Sequence, residues 1–182
     1  MRKVIAAGLV SVAVAVLPVA SSFAATSVTD VLSITVDDSC SISASSRSNT
    51  GGDGTWTGNT LSANRTVGSV SYNLGSTTFS VTCNDPDGYT VTVATQNLMS
   101  GSNSIPAYSG TAYSASVSGW APANGSTSSA TKYKNGDVVD DGTGIVANGR
   151  TFTIYYGVGI SPTQQAGTYT SNSAAVYTLT KI

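Results

Sequence analysis

The chain has 182 residues, with 8 Lys plus Arg against 9 Asp plus Glu and a formal net charge of −1. All of the acidic residues are Asp, and His is absent. A Ser-His-Asp triad, a glutamate general base and a His-ligated metal are therefore excluded, and no cofactor is expected. The charge balance also lacks the basic excess that nucleic-acid-binding proteins carry.

The composition is typical of an all-β protein. Thr, Val and Tyr favour strands, while Gly, Asn and Asp supply turns. The many Ser, Thr and Gly residues would also suit a disordered chain. Apolar residues alternate regularly in several segments, however, and a disordered chain has no need of a buried face.

The N-terminus has the pattern of an export signal. A short basic start is followed by an apolar run over residues 4–17 and by small residues at Ser22 and Ala24. This predicts a signal peptide over residues 1–24, cleaved to leave residues 25–182 as one secreted domain at the cell surface. A retained N-terminal anchor is the alternative. The mature chain has no further apolar stretch long enough for a membrane span.

Two cysteines, Cys40 and Cys83, remain after cleavage. In an exported protein an even pair is most simply one disulfide. Two free thiols or half of a metal site are the alternatives, although a zinc site lacks the other ligands that it needs.

The first strands are predicted from alternation with a period of two. Residues 32–36 form the first strand, with Leu32, Ile34 and Val36 on one face, and residues 39–43 resume it. Residues 45–60, rich in Ser, Gly, Asn and Thr, are predicted to be a long exposed excursion.

A hairpin is predicted next. Residues 79–83 and 89–93 alternate on either side of a turn at residues 84–88, where Pro86 and Gly88 suit the backbone of a turn. A weaker strand over residues 67–72 precedes them.

The last part of the chain alternates again over residues 152–160, and residues 169–180 return after a turn. Residues 113–117 are predicted to form a strand that ends near Trp120, but the threading of residues 97–148 is not predicted. About seven strands and one disulfide favour a two-sheet sandwich, with a closed barrel as the alternative.

Several segments together resemble spore coat protein U-like secreted pilins. The resemblance lies in Ser-Cys-Ser-Ile-Ser around Cys40, in Thr-Phe-Ser-Val-Thr-Cys ending at Cys83, and in Gly-Tyr-Thr-Val-Thr-Val starting at Gly88. The tail over residues 152–180 is similar to that family's closing hairpin.

The resemblance implies an immunoglobulin-like Greek-key sandwich on a bacterial surface, used as a pilus or coat subunit. It carries over the Cys40–Cys83 disulfide and a last turn formed by Gly167 and Tyr169. Pilins of this kind donate an N-terminal strand to a neighbour. Here, with a first strand already at residues 32–36, only about seven residues precede it, so a self-contained sandwich stays open as the alternative.

Few side chains suggest a ligand site. Asp137, Asp140 and Asp141 offer oxygens of the kind that bind Ca²⁺, but their spacing matches no EF-hand loop. Trp56 and Trp120 lie in Gly-rich surroundings, where an exposed indole would stack on a sugar; burial at the end of the sandwich is the alternative for both.

Sheet edges are the remaining candidate for contacts. The first strand and the last, residues 175–180, carry few charges and would add to a neighbouring subunit's sheet if left unpaired. The leading hypothesis is a non-enzymatic exported structural subunit, pilin-like or coat-like. The second is an extracellular adhesin-like module that binds a glycan or a protein through the loops.

Overall fold

The computed structural model describes residues 33–182, except for the side chains at positions 147 and 148. The predicted signal peptide and the mature start at Ala25 lie outside these residues. Residues 36–182 form one compact unit. In the described part of the chain no helix is long and apolar enough to cross a membrane.

Strands make up the regular structure of this unit. In chain order they are β1 (Cys40–Ser48), β2 (Thr55–Thr57), β3 (Thr60–Ser62), β4 (Ser69–Cys83), β5 (Tyr89–Thr95), β6 (Leu98–Ser100), β7 (Asn103–Ile105), β8 (Gly119–Ala123), β9 (Val138–Gly142), β10 (Val146–Ile160) and β11 (Ala175–Lys181).

Two antiparallel sheets form the sandwich. One has the order β1-β4-β10-β8 and the other β11-β5-β9, while β2-β3 and β6-β7 are separate two-stranded hairpins. The connections from β4 to β5 and from β10 to β11 pass between the sheets, as in immunoglobulin-like sandwiches. The predicted all-β, two-sheet fold with one disulfide is confirmed.

Neither predicted pairing between consecutive long strands is present. β4 pairs with β1 and β10, whereas β5 pairs with β11 and β9. The turn at residues 84–88 therefore links the two sheets. As a result, Val81 of β4 and Val91 of β5 pack against each other in the core. The predicted closing hairpin is wrong for the same reason, since β10 and β11 belong to different sheets.

Gly88 has the role that the sequence assigned to it in this turn. Its φ is +99°, in the region that L side chains rarely adopt. A Cβ at this position would also lie 2.1 Å from the carbonyl oxygen of Gly142. The turn therefore requires glycine.

β4 is a single strand where the sequence indicated two. Its partner β10 pairs Tyr156 with Gly75 and Val158 with Ser71. Two steps along β10 thus correspond to four along β4, so β4 has two extra residues between Ser71 and Gly75. This irregularity interrupts the alternation along β4, which explains why residues 67–72 and 79–83 were predicted as separate strands.

The predicted first strand at residues 32–36 is wrong in its described part. Residues 33–39 have no strand structure, and β1 begins at Cys40. Ile34 and Val36 are 75% and 77% exposed. The alternation in the sequence therefore does not correspond to a strand over residues 33–36.

The predicted excursion over residues 45–60 is confirmed as mostly exposed, but it is not an irregular loop. β1 continues to Ser48, and the β2-β3 hairpin packs on β4, where the Gly54 N–H donates to the Leu74 carbonyl at 2.7 Å. A Cβ at Gly75 would lie 2.9 Å from Trp56 Nε1, so this glycine makes room for the indole.

The middle of the chain supplies short strands. The predicted strand at residues 113–117 is absent, although Tyr113 is buried. Trp120 belongs to β8, an edge strand that accommodates Pro122 and whose five residues are all buried.

The interior divides into two clusters of buried side chains. We call the first, formed by Val81, Cys83, Tyr89 and Val91, the disulfide-end core. We call the second, formed by Ile105, Trp120, Val158 and Ile160, the groove-end core.

Candidate functional site: an open groove between the sheets

A cavity of about 1420 Å³ opens beside the groove-end core. Its floor is formed by inward-facing residues of β10, namely Tyr156, Val158 and Ile160. The β2-β3 hairpin and the residues that follow it form one wall. The segment leading from β10 into β11 forms the other. We call this cavity the groove.

The two strands beside the groove are edges of their sheets. β1 pairs only with β4, and β11 pairs only with β5. Each strand therefore has one side whose backbone N–H and C=O groups are not used in a ladder. The last strand therefore meets the condition for sheet addition that the sequence left open, since β11 is a sheet edge.

Aromatic side chains close the groove toward the disulfide-end core. Tyr177 contacts Phe79 with ring centroids 4.5 Å apart, and its hydroxyl donates to that of Tyr156 at 3.3 Å. Burial raises the pKa of both tyrosines, so both stay neutral at ordinary pH. This end of the groove is apolar except for these hydroxyls.

Trp56 lies in the wall of the groove. Its ring meets Tyr156 edge-on at 5.8 Å, and the Arg47 guanidinium lies 5.4 Å from the indole centroid. Trp56 is half-buried, and its Nε1 has no hydrogen-bond partner among the described residues. Its Nε1 is buried against Gly75, so a ligand in the groove would meet the indole ring and not its N–H.

Trp120 is 5% exposed and donates from Nε1 to the Gln96 carbonyl at 3.0 Å. Its indole lines the inner end of the groove as part of the groove-end core. The burial alternative describes Trp120 better than stacking on a sugar at the surface does.

The groove wall carries charge on both sides of Trp56. Arg65 pairs with Asp53 at 2.9 Å. Arg47 is exposed and makes no ion pair within residues 33–182. The sequence did not single out Arg47, because only the docking of the β2-β3 hairpin brings it against Trp56.

The three Asp residues proposed for Ca²⁺ have other partners. Asp140 accepts from the Tyr89 hydroxyl and from Arg150, each at 2.8 Å, and Asp137 accepts from the Lys134 N–H at 2.9 Å. Asp141 is exposed. Across the described residues, no three acidic or cysteine side chains are grouped so as to hold a metal.

The Cys40–Cys83 disulfide is present, and its two residues lie directly opposite each other on β1 and β4. It covers the end of the sandwich away from the groove. The turn formed by Gly167 and Tyr169 lies instead on the groove wall, where the Tyr169 hydroxyl donates to the Gln165 carbonyl.

No protein-family model, curated protein or solved structure matches this chain.

Proposed function

We propose that this protein is an exported, non-enzymatic structural subunit of a bacterial surface, pilin-like or coat-like, that assembles by strand insertion. The segment before Cys40 of one copy enters the groove of the next. The observation that carries the proposal is a groove with an apolar floor that lies beside the unpaired edges of β1 and β11.

The chemistry of the groove suits an extended segment. A strand lying along β11 would complete that strand's unused backbone hydrogen bonds, and every second side chain would point at the floor. Tyr156, Val158 and Ile160 present an apolar floor to those side chains. A small polar ligand would leave this floor without an apolar partner.

The segment before Cys40 has the matching pattern. Leu32, Ile34 and Val36 alternate with Ser33 and Thr35. Ile34 and Val36 are mostly exposed although they are among the most apolar residue types. Burying each such side chain contributes about 1.5–3 kcal/mol, so three of them supply a substantial driving force for insertion.

A second candidate function rests on Trp56. The indole stands in the groove wall beside the Asp53–Arg65 ion pair, and an aromatic face flanked by polar groups is a common ligand arrangement. An adhesin-like module would bind a glycan or a protein segment there. Its fluorescence test uses the Trp56→Phe variant, which retains Trp120 as an internal reference.

Native mass and negative-stain electron microscopy of the exported full chain test the leading proposal. We expect ladders or filaments from the unaltered protein and their loss in Ile34→Asp. Thr35→Asp is the matched control, since it adds the same charge to the opposite face of the same segment and should assemble.

A clean monomer from the unaltered protein would contradict the proposal, as would equal assembly of the two Asp variants. A glycan-dependent change in Trp56 fluorescence in such a monomer would support the adhesin-like function instead.

A further inference from the structure

We infer that Arg47 sets the register of the inserted strand by pairing with Asp30 of the incoming copy. This inference rests on the proposed function and specifies its partner residue by residue. The observations that support it are the position of Arg47 in the groove, a count of residues along β10, and the direction of β11.

Arg47 is a charge held at a fixed place in the groove wall. Its guanidinium lies against the Trp56 ring, and Trp56 is in turn packed on Tyr156 and over Gly75. The other arginine of the wall, Arg65, already pairs with Asp53. An incoming carboxylate therefore finds its partner at Arg47.

The incoming segment carries an acidic residue at each end of its apolar face, Asp30 before Leu32 and Asp38 after Val36. Asp30 is the one that meets Arg47 when the segment runs antiparallel to β11, whereas Asp38 would meet it only in the reverse direction. Asp30 lies two residues before Leu32, so it shares a face with Leu32, Ile34 and Val36 in an extended chain. An acid there is costly to bury over an apolar floor, but is favourable opposite an arginine.

The strand registers give the position of each side chain. Arg47 pairs with Thr77 across β1 and β4, and Thr77 pairs with Ile154 across β4 and β10. Arg47 and Ile154 are thus level with each other. Along β10 the floor residues Tyr156, Val158 and Ile160 follow Ile154 at two, four and six residues.

The incoming segment has the same spacing. Leu32, Ile34 and Val36 follow Asp30 at two, four and six residues. At about 3.3 Å per residue, both series span about 20 Å. With Asp30 at Arg47, every apolar side chain of the segment therefore falls on one apolar floor residue.

This register requires the segment to run in the direction of β10, and β11 fits that direction. Ala175, at the start of β11, packs against the groove-end core, and Leu179 packs against the disulfide-end core. β10 runs the other way, from Val146 beside Cys83 to Ile160. The incoming strand is thus antiparallel to β11, the slightly more stable pairing.

Charge reversal tests the pairing. We expect Arg47→Glu to lower the yield of assembled protein by about tenfold or more, because like charges placed together at an interface are strongly unfavourable. Combining it with Asp30→Arg in the same chain restores the opposite charges, and the yield should return to within about threefold of the unaltered protein. Lys134→Glu, an identical charge change on an exposed residue outside the groove, is the matched control.

Arg47→Gln separates charge from packing. It removes the ion pair without repulsion, so we expect an intermediate yield and a weaker dependence on salt than in the unaltered protein. Tryptophan emission and cooperative unfolding of each monomer verify that the variants fold.

The possible outcomes separate the inference from the function on which it rests. If Ile34→Asp blocks assembly while Arg47→Glu assembles normally, insertion stands and the Asp30–Arg47 register is wrong. A double variant as defective as Arg47→Glu also overturns the register. If the unaltered protein does not assemble, both proposals fail.

Discussion

The two ends of the sandwich solve the same packing problem in opposite ways. At the disulfide end, Val81, Tyr89 and Val91 are fully buried. At the groove end, Trp120, Val158 and Ile160 are also buried, but they border a cavity of about 1420 Å³. One core is covered by the strands around it, and the other borders an open groove.

The closed end also holds the strongest cross-links. A covalent bond joins β1 to β4 there, and Tyr89 and Arg150 both bind the buried Asp140. These cross-links stabilise the disulfide end, while the groove end remains open. Substitutions at the two ends should therefore have unequal effects on the stability of the monomer.

The largest effect is expected from removing the disulfide. Replacing Cys40 and Cys83 with Ser frees a loop of 43 residues, and chain entropy predicts a loss of about 4 kcal/mol in the free energy of unfolding. Urea denaturation of the monomer measures it. A loss below about 1 kcal/mol would mean that the closed end does not depend on its covalent link.

A pair of valines compares a fully buried position with an exposed one on the strand beside the groove. Val91→Ala removes a fully buried side chain and should cost about 2 kcal/mol. Val176→Ala, on the 45% exposed face of β11, should cost less than about 0.5 kcal/mol. Equal losses in urea denaturation would contradict the difference in burial between these two positions.

Tyr89→Phe should cost about 1–3 kcal/mol, since Asp140 then keeps only Arg150 as a partner in a buried site. Tyr177→Phe is the control, because the Tyr177 hydroxyl meets only another hydroxyl, that of Tyr156, at 3.3 Å. We expect the control to lose less stability in the same measurement.

The smallest expected effect is the pH dependence of stability that comes from Tyr89. It is absent at neutral pH and develops in basic solution. Burial, reinforced by the hydrogen bond to Asp140, raises the pKa of Tyr89 from 10.0 to about 12. The unfolded chain therefore loses this proton first, and the stability present below pH 10 declines as the pH rises toward 12. Denaturation between pH 8 and 11 should show a decline that is shallower in Tyr89→Phe.

Local patterns in the sequence predicted the fold class and the disulfide, because alternation and an even cysteine pair are properties of neighbouring residues. They did not predict which strands pair. Residues 79–83 and 89–93 have the pattern of a hairpin, and only the burial of Val81 against Val91 places them in separate sheets.

The groove could not be predicted for a related reason. It exists because β1 and β11 leave their facing edges unpaired, and an unpaired edge has no local pattern of its own. Residues 32–36 do have the pattern of a strand, and a sandwich that includes this strand would have no open groove. Trp56 is a candidate from its residue type alone. The contact of Arg47 with Trp56 could not be predicted, because it depends on the docking of the β2-β3 hairpin, which requires Gly75.

The position of Cys40 has a mechanical consequence. It is the first residue of β1, and its sulfur is bonded to the last residue of β4. A pull on the chain ahead of Cys40 therefore reaches a covalent bond before it reaches any hydrogen bond between β1 and β4. Under tension, β1 cannot be peeled from its sheet starting at that end, and the load passes directly into β4 and its partner β10, the longest strands of the described residues.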